Sequence, residues 1–240
     1  MAQSILIIGA SGTGKSTSLR NLDPKSTFII NVLGKPLPFR GFFKQYTLAS
    51  KENPKGNYFV TDNYLEMIKV IERVNTNRPD IKTLIVDDVQ YVLLNSYMRK
   101  CKEPLKPKES GFQKYSDLAT EYWLLMTALT SCRNDLLTIA LSHNEVDMQG
   151  KSIIKSVGKL LSEKISIEGM FTTVLQTALV EGKYLFQTQG DEGTIAKSPM
   201  DMFENKYIEN DLSYVINKVK EYNDVYDEAS SPESSEIKET

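Results

Sequence analysis

The sequence predicts an α/β fold in which a mostly parallel sheet carries helices on both faces and ends in an antiparallel hairpin. Two observations support this prediction. Short apolar runs alternate with helical patterns through the first 142 residues, which is typical of consecutive strand–helix–strand units. Later in the chain, two β-branched runs flank a Glu-Gly-Lys segment at residues 181–183, which is the pattern of a hairpin.

Each element is predicted from a local pattern. Buried strands are expected where apolar or β-branched residues run together, at residues 4–8, 27–32, 83–86 and 136–141. Helices are expected where apolar residues recur at helical spacing or follow a glycine turn, at residues 63–74, 116–134 and 212–222 and from near Lys15. The hairpin strands are residues 171–180 and 184–188. Residues 33–57, rich in Gly, Pro and Lys, are expected to be irregular.

Composition and charge indicate one ordinary domain with an acidic tail. Six acidic residues and one lysine give residues 224–240 a charge of −5. Because the whole chain has a net charge of −2, residues 1–223 carry +3. The tail lacks apolar periodicity over most of its length, so we expect it to be disordered. A mildly basic domain is compatible with nucleic-acid binding, although a scattered surplus of lysines is usually a solvated surface.

The residue counts exclude several classes of protein. Two cysteines and one histidine are too few for a Cys/His zinc site or a disulfide framework. No apolar run approaches the ~20 residues of a membrane helix. The apolar stretch at residues 5–8 is too short for a signal peptide and no basic residue precedes it. We therefore expect a cytoplasmic protein.

Residues 9–16, GASGTGKS, match the phosphate-binding pattern G-x-x-x-x-G-K-[ST] at every fixed position. This P-loop lies between a predicted strand and a predicted helix, where its backbone N–H groups and the helix N-terminus can surround phosphates. Lys15 is expected to bridge the β- and γ-phosphates, and Ser16 to bind magnesium. The expected nucleotide contacts are Gly9, Ser11, Gly12, Thr13, Gly14, Lys15, Ser16 and Thr17.

Acidic and polar residues follow the third and fourth predicted strands. Asp87 is expected to hold magnesium, usually through water, and Asp88 is the candidate general base; alternatively, one of these acids caps the next helix. Ser142 or His143 is expected to face the γ-phosphate and report its presence, the alternative being a hydrogen-bonded loop residue. The predicted catalytic set is therefore Lys15, Asp88, Ser142 and His143, with ATP and Mg²⁺ as ligands.

Two lysine-rich segments are candidates for binding a partner. Residues 91–115 interleave six basic residues with aromatic ones, a composition suited to single-stranded DNA, and two prolines, Pro104 and Pro107, are expected to keep part of the segment irregular. Residues 145–164 can couple phosphate sensing to a bound polymer, or send a lysine to the ATP of a neighbouring subunit. A solvated loop is the alternative for both. Lys197 is a further candidate for a cation acting on a neighbouring subunit.

Several segments together resemble the phage family of small RecA-like P-loop ATPases, often labelled phage nucleotide-binding or AAA-family proteins, which includes single-strand annealing proteins. The resemblance is carried by residues 9–16, 31–39, 84–91, 158–161, 171–173 and 194–199. It covers residues 1 to about 222, with residues 31–39 and 194–199 more specific than the P-loop. It implies a RecA-like core, ATP hydrolysis, single-stranded DNA binding in phage recombination in the host cytoplasm, and a homo-oligomer. By position, residues 91–115 and 145–164 would match the two DNA-facing loops.

One feature departs from that family. RecA-like enzymes usually place a catalytic glutamate just after the second strand, whereas residues 31–34, NVLG, contain no acid. Either Asp88 takes that role or hydrolysis is slow. Two other functions therefore stay open: a P-loop nucleotide or small-molecule kinase, although no arginine cluster suggests its lid, and an ATP-gated assembly factor with little hydrolysis. The acidic tail resembles tails that contact replication and recombination proteins or compete with DNA, or serves solubility alone.

Overall fold

Strands and helices alternate along the chain in a computed structural model that describes residues 3–103, 111–148, 150–155 and 166–230. The strands are β1 (Ser4–Gly9), β2 (Thr27–Asn31), β3 (Tyr58–Val60), β4 (Thr83–Asp87), β5 (Leu137–Val146), β6 (Ser152–Ile154), β7 (Thr173–Val180), β8 (Lys183–Gln187) and β9 (Tyr207–Glu209). The helices are α1 (Phe42–Gln45), α2 (Tyr64–Asn77), α3 (Gln90–Lys102), α4 (Gly111–Thr130) and α5 (Leu212–Ser230), with 3₁₀ helices at Ser16–Asn21 and Ile167–Met170. Within these ranges, no helix has the length and apolar character needed to cross a membrane.

The strands form one sheet in the order β3-β2-β4-β5-β1-β7-β8-β9, and β6 pairs with β5 outside this row. The first six strands of the row pair in parallel, whereas β8 and β9 are antiparallel. Glu181 and Gly182 join β7 to β8 with φ angles of 50° and 76°, which is the geometry of a tight hairpin turn. The predicted α/β class, with antiparallel strands at its C-terminal end, is confirmed.

Helices cover both faces of the sheet. In β1, Leu6 and Ile8 belong to a buried cluster that includes side chains of α2, α3 and α4. Ile5 and Ile7 belong to a second cluster with the first 3₁₀ helix, α1 and α5. Because alternate side chains of one strand enter two different cores, the central strands consist of continuous apolar residues.

Two helix predictions at the ends of the domain need correction. The helix expected from Lys15 is a short 3₁₀ helix that ends at Asn21, since Leu22 is extended and Asp23 precedes a proline. Helix α5 runs to Ser230, so residues 224–230 of the predicted disordered tail are helical. Its apolar pattern ends near Tyr222, but an established helix can extend without apolar residues because each added residue gains a hydrogen bond. Residues 231–240 lie outside the described residues.

Where the structure describes them, the two predicted DNA-facing loops contain a helix and a hairpin. Residues 91–102 lie in α3, where Val92, Leu93 and Ser96 share a buried face, and α4 begins at Gly111. Residues 145–148 and 150–154 contribute to the β5–β6 hairpin, whose turn is closed by backbone and side-chain bonds between Asp147 and Lys151. The basic composition and the prolines of residues 91–115 obscure this helical spacing in the sequence. Residues 104–110, 149 and 156–165 lie outside the described residues.

The side chain of Arg133 closes the carboxyl end of α2. Its guanidinium donates hydrogen bonds to the carbonyl oxygens of Val74, Asn75 and Arg78 at 2.9, 2.8 and 3.0 Å, and also to that of Ile81. These carbonyls belong to the last turn of α2 and to the segment that leads into β4, where few backbone N–H groups remain to pair with them. Val74 O also accepts from Arg78 N at 3.3 Å, and Arg78 O accepts from Ile81 N at 3.1 Å. One charged side chain therefore fixes the connection between α2 and β4.

We expect Arg133→Ala to lower the free energy of unfolding by about 2–4 kcal/mol, because it removes a charged donor from partly buried carbonyls. Arg73→Ala makes the same change on the exposed face of α2 and should alter stability by less than about 0.5 kcal/mol. Guanidinium unfolding followed by circular dichroism measures both values. Equal midpoints for the two variants would contradict the role given to Arg133.

Candidate functional site

The parallel register brings the predicted site residues to one edge of the sheet. Gly9 on β1 pairs with His143 on β5, and Asn31 on β2 pairs with Asp87 on β4. A cavity of about 330 Å³, which we call the phosphate cavity, lies between the P-loop and these strand ends. Its lining includes the predicted residues Ser11, Gly12, Gly14, Lys15, Ser16, Thr17, Asp87, Asp88 and His143.

Lys15 is folded back onto its own loop. Its Nζ donates to the carbonyl oxygens of Gly9 at 2.8 Å and Ala10 at 2.9 Å, and the residue is only 6% exposed. Burial lowers the pKa of Lys15, while the charges of Asp88 and Asp87 act in the opposite direction. An ammonium that is buried beside neutral carbonyls is well placed to exchange them for phosphate oxygens, which carry full negative charge.

Ser16 and Asp87 form the contact expected of a magnesium site. Ser16 Oγ donates to Asp87 Oδ1 at 2.9 Å and lies 3.2 Å from Oδ2. Burial, followed by the neighbouring charge of Asp88, raises the pKa of Asp87 to about 7, although Ser16 and Lys15 oppose this. A hydroxyl and a carboxylate oxygen suit Mg²⁺, which usually completes its shell with water and substrate phosphates. The described residues contain no group of three or more His, Cys, Asp or Glu side chains that could hold a metal ion.

Asp88 has an unusual backbone conformation that turns the chain beside the cavity. Its φ angle is 65°, in the left-handed region, which is uncommon for a residue other than glycine. Its Oδ1 lies 3.4 Å from His143 Nε2. The alternative role as a helix cap is not observed, because Val89 occupies the N-cap position of α3 and no side chain caps that helix.

The structure separates the two candidate sensors. Ser142 is fully buried, its Oγ donates to the carbonyl oxygen of His143 at 3.2 Å, and it does not line the phosphate cavity. His143 does line the cavity. Burial and then the charge of Lys15 lower the pKa of His143, while Asp88 opposes them, so the imidazole is neutral at neutral pH. Lys197, which the sequence offered as a cation acting on a neighbouring subunit, is exposed and does not line this cavity.

Gly9 and Thr13 support the P-loop without lining the cavity. Thr13 Oγ1 donates to the carbonyl oxygen of Ala10 at 2.7 Å and lies 2.5 Å from Thr177 Oγ1 on β7. A Cβ atom added at Gly9 would lie 1.7 Å from Thr177 Oγ1, which is far inside contact distance. Glycine at position 9 is therefore required by packing against β7.

Lys35 is a site residue that was not among the predicted ligands, although it lies within the family-like segment 31–39. It lines the phosphate cavity in the segment after β2, where RecA-like enzymes usually place a glutamate. Asn31 builds this turn, because its Oδ1 accepts from Gly34 N at 2.8 Å and its Nδ2 donates to Lys35 O at 2.6 Å. The signal in the sequence that could have identified Lys35 is a lysine shortly after a strand that ends at the P-loop edge of the sheet.

A second cavity of about 330 Å³, which we call the basic cavity, adjoins the phosphate cavity. The two share Ser11, Lys35 and His143. The remaining lining residues are Gln90, Tyr91, Leu94 and Lys155. Two lysines and a tyrosine ring therefore lie next to the position expected for the γ-phosphate.

We expect Asp87→Asn to raise stability in the absence of magnesium and nucleotide. The pKa of Asp87 is about 7 in the folded protein against an ordinary 3.8, so this group destabilises the fold as pH rises through that interval. The gain should be on the order of 1–3 kcal/mol at about pH 8 and much smaller at about pH 5. Thermal unfolding at the two pH values measures it.

Asp80→Asn is the matched control. A hydrogen bond from Arg78 holds the pKa of Asp80 below its ordinary value, so its carboxylate is charged in both states across that pH range. Its effect on stability should therefore be the same at both pH values. If the stability gained by Asp87→Asn did not increase with pH, the conclusion that the charged form of buried Asp87 destabilises the fold would be wrong.

A family model described as an AAA domain matches residues 1–200. No curated protein gives a significant match. Among solved structures, that of a DnaB-like replicative helicase and its interactions with primase has a TM-score of 0.44 at 14% identity, over 82% of this chain and 52% of that chain. This chain thus spans about half the length of that helicase. On the family match, the chain belongs to the AAA domain family of P-loop ATPases.

Proposed function

We propose that the protein is a magnesium-dependent ATPase of RecA-like type that binds single-stranded DNA and promotes annealing or strand exchange in phage recombination, acting as a homo-oligomer. The observation that carries the ATPase part is the Ser16–Asp87 contact at 2.9 Å beside the buried ammonium of Lys15. Ser16 and Asp87 would hold Mg²⁺, which neutralises phosphate charge when bound. Backbone N–H groups of the P-loop would hold the phosphates.

Asp88, His143 and Ser142 have different roles in this proposal. Asp88 orients the attacking water, which its place in the cavity lining and its left-handed backbone support. His143 reports the γ-phosphate, because a neutral imidazole 3.4 Å from Asp88 can exchange hydrogen-bond partners. Ser142 acts only as a positioning residue, through its bond to the carbonyl oxygen of His143.

The basic cavity supports DNA binding near the γ-phosphate. It combines lysines, which pair with phosphates, and a tyrosine ring, which can stack on a base. Lys155 belongs to this cavity, and its backbone N donates to the carbonyl oxygen of His143 at 2.8 Å. A change at the γ-phosphate can therefore reach a DNA-contacting lysine through one hydrogen bond.

Helix α3 is a weaker candidate for the DNA contact. Arg99 pairs with Asp62 at 2.9 Å, and Lys100 pairs with Glu121 at 3.0 Å. These acids offset the positive charge of the helix, so we place the main DNA contact at the basic cavity and the adjoining β5–β6 hairpin.

An ATP-gated assembly factor with little hydrolysis is the second candidate. Asn31, which ends β2, and Lys35 in the segment after it line the phosphate cavity, and that segment supplies no carboxylate. In that case nucleotide would bind at the same residues and control oligomerisation, with Asp88 unable to replace the missing glutamate.

We expect single-stranded DNA to stimulate ATP hydrolysis by the wild-type protein, and Lys15→Ala to lower the rate by about 100-fold or more, because the lysine stabilises charge on the transferred phosphoryl group. Phosphate release with and without DNA measures both effects. Lys69→Ala, an exposed change on α2, is the control and should leave the rate unchanged. Nucleotide-dependent oligomerisation without turnover would favour the assembly factor.

We expect Lys155→Glu to weaken single-stranded DNA binding several-fold and to reduce the salt dependence of binding by about one phosphate contact. Lys69→Glu makes the same charge change away from the basic cavity and should have little effect. Fluorescence anisotropy over a salt series measures both. Equal losses for the two variants would show that the effect comes from net charge and not from this cavity.

A further inference from the structure

A third cavity, of about 510 Å³, adjoins the phosphate cavity at a different place from the basic cavity. It shares Thr17 and Tyr184 with the phosphate cavity, whereas the basic cavity shares Ser11, Lys35 and His143. We call it the Tyr184 cavity. Its lining residues are Thr17, Arg20, Gly182, Lys183, Tyr184, Leu185, Glu209 and Asn210.

Asn210 in this cavity has a buried side chain with unused hydrogen-bonding groups. The residue is 2% exposed, and neither its Oδ1 nor its Nδ2 has a partner in the described part of the protein. Its backbone oxygen is held by Arg20 Nη1 at 2.5 Å, so the main chain is fixed while the carboxamide is not. Buried polar groups are nearly always paired, and an unpaired donor and acceptor on one side chain suggest a missing ligand.

The carboxamide lies directly against the P-loop. A Cβ atom added at Gly14, whose φ is 97°, would lie 3.1 Å from Asn210 Oδ1 and 3.2 Å from both Nδ2 and Tyr184 Cδ1. The ring of Tyr184 therefore reaches the same point beside Gly14 as the carboxamide, and the residue is 50% exposed. Since the amide atoms are shielded from solvent, a ligand would reach them as this ring moves aside.

We propose that the Tyr184 cavity holds the base of the nucleotide whose phosphates lie on the P-loop, and that Asn210 makes this site prefer adenine. The inference rests on the proposed function. Lys35 and His143 mark the γ-phosphate end of the phosphate cavity, so the ribose and base lie toward Thr17 and Tyr184. The Tyr184 cavity is the space that opens at that end.

The chemistry of a carboxamide selects adenine at its N6/N7 edge. That edge presents an N–H donor beside an acceptor, which Oδ1 and Nδ2 of Asn210 complement with two hydrogen bonds. The same edge of guanine presents two acceptors, so Oδ1 would face a lone pair. Tyr184 supplies a ring on which any base can stack. Tyr184 therefore contributes affinity, and Asn210 contributes the preference between bases.

The test is a set of titrations with the magnesium complexes of non-hydrolysable ATP, GTP and 7-deaza-ATP analogues, the last of which lacks the N7 acceptor. Wild-type protein should bind the ATP analogue about 10-fold more tightly than either of the others. Asn210→Ala should bind all three within about twofold, and its own thermal stability should not fall, because two unpaired buried groups are removed. Isothermal titration calorimetry and thermal unfolding give these values.

Matched variants separate the two roles. Tyr184→Leu should weaken all three ligands by about 10-fold without changing their order, whereas Tyr184→Phe should bind like the wild type. Lys69→Ala, an exposed change on α2 outside the Tyr184 cavity, should keep the preference for adenine. Discrimination that persists in Asn210→Ala, or its absence in the wild type, overturns the inference while leaving the ATPase proposal intact. Failure of magnesium tripolyphosphate and of every nucleotide to bind would overturn the proposed function itself.

Discussion

The parallel register of β1, β2, β4 and β5 is the constraint on which the whole site depends. It sets Gly9 opposite His143 and Asn31 opposite Asp87, so residues far apart in sequence end at one edge. Each strand also sends alternate side chains into two separate cores. A slip of one residue would exchange these two sets of side chains, so the packing of both cores specifies the geometry of the site.

The same edge of the sheet holds charged side chains whose charged forms are unfavourable in the protein without a ligand. The pKa of Lys15 is lowered and that of Asp87 is raised, both chiefly by burial, so each charged form is less favourable than in water. Asp88 adds a left-handed backbone at the same place. A phosphate chain with a divalent cation would satisfy the lysine and the carboxylate together. The fold thus gives up stability at the residues where it would gain binding energy.

The positions that the sequence predicted best are those of residues within a short motif at the end of a strand. The P-loop begins at the last residue of β1, and Asp87 is the last residue of β4, so a short motif at a strand end is enough to fix their position. Ser142 and His143 could not be separated in this way. Both lie within β5, where neighbouring side chains point to opposite faces, and the sequence does not tell which face carries the cavity.

Lys35 and Asn210 show what sequence patterns leave out. Lys35 follows a turn that depends on hydrogen bonds of the Asn31 side chain. Asn210 reaches Gly14 because β8 and β9 return antiparallel beside β7, which is a property of the whole sheet. Helix α3 was missed for the opposite reason, since its apolar spacing was present but was outweighed by basic residues and nearby prolines.

The contact between Gly9 and Thr177 links the first residue of the P-loop to a strand more than 160 positions later. The hydroxyl of Thr177 occupies the volume that any side chain at position 9 would need. These two positions therefore form an epistatic pair: a larger residue at one is tolerated only with a smaller residue at the other. The evolutionary freedom of the P-loop glycine is in this way governed by a neighbouring strand that does not line the phosphate cavity.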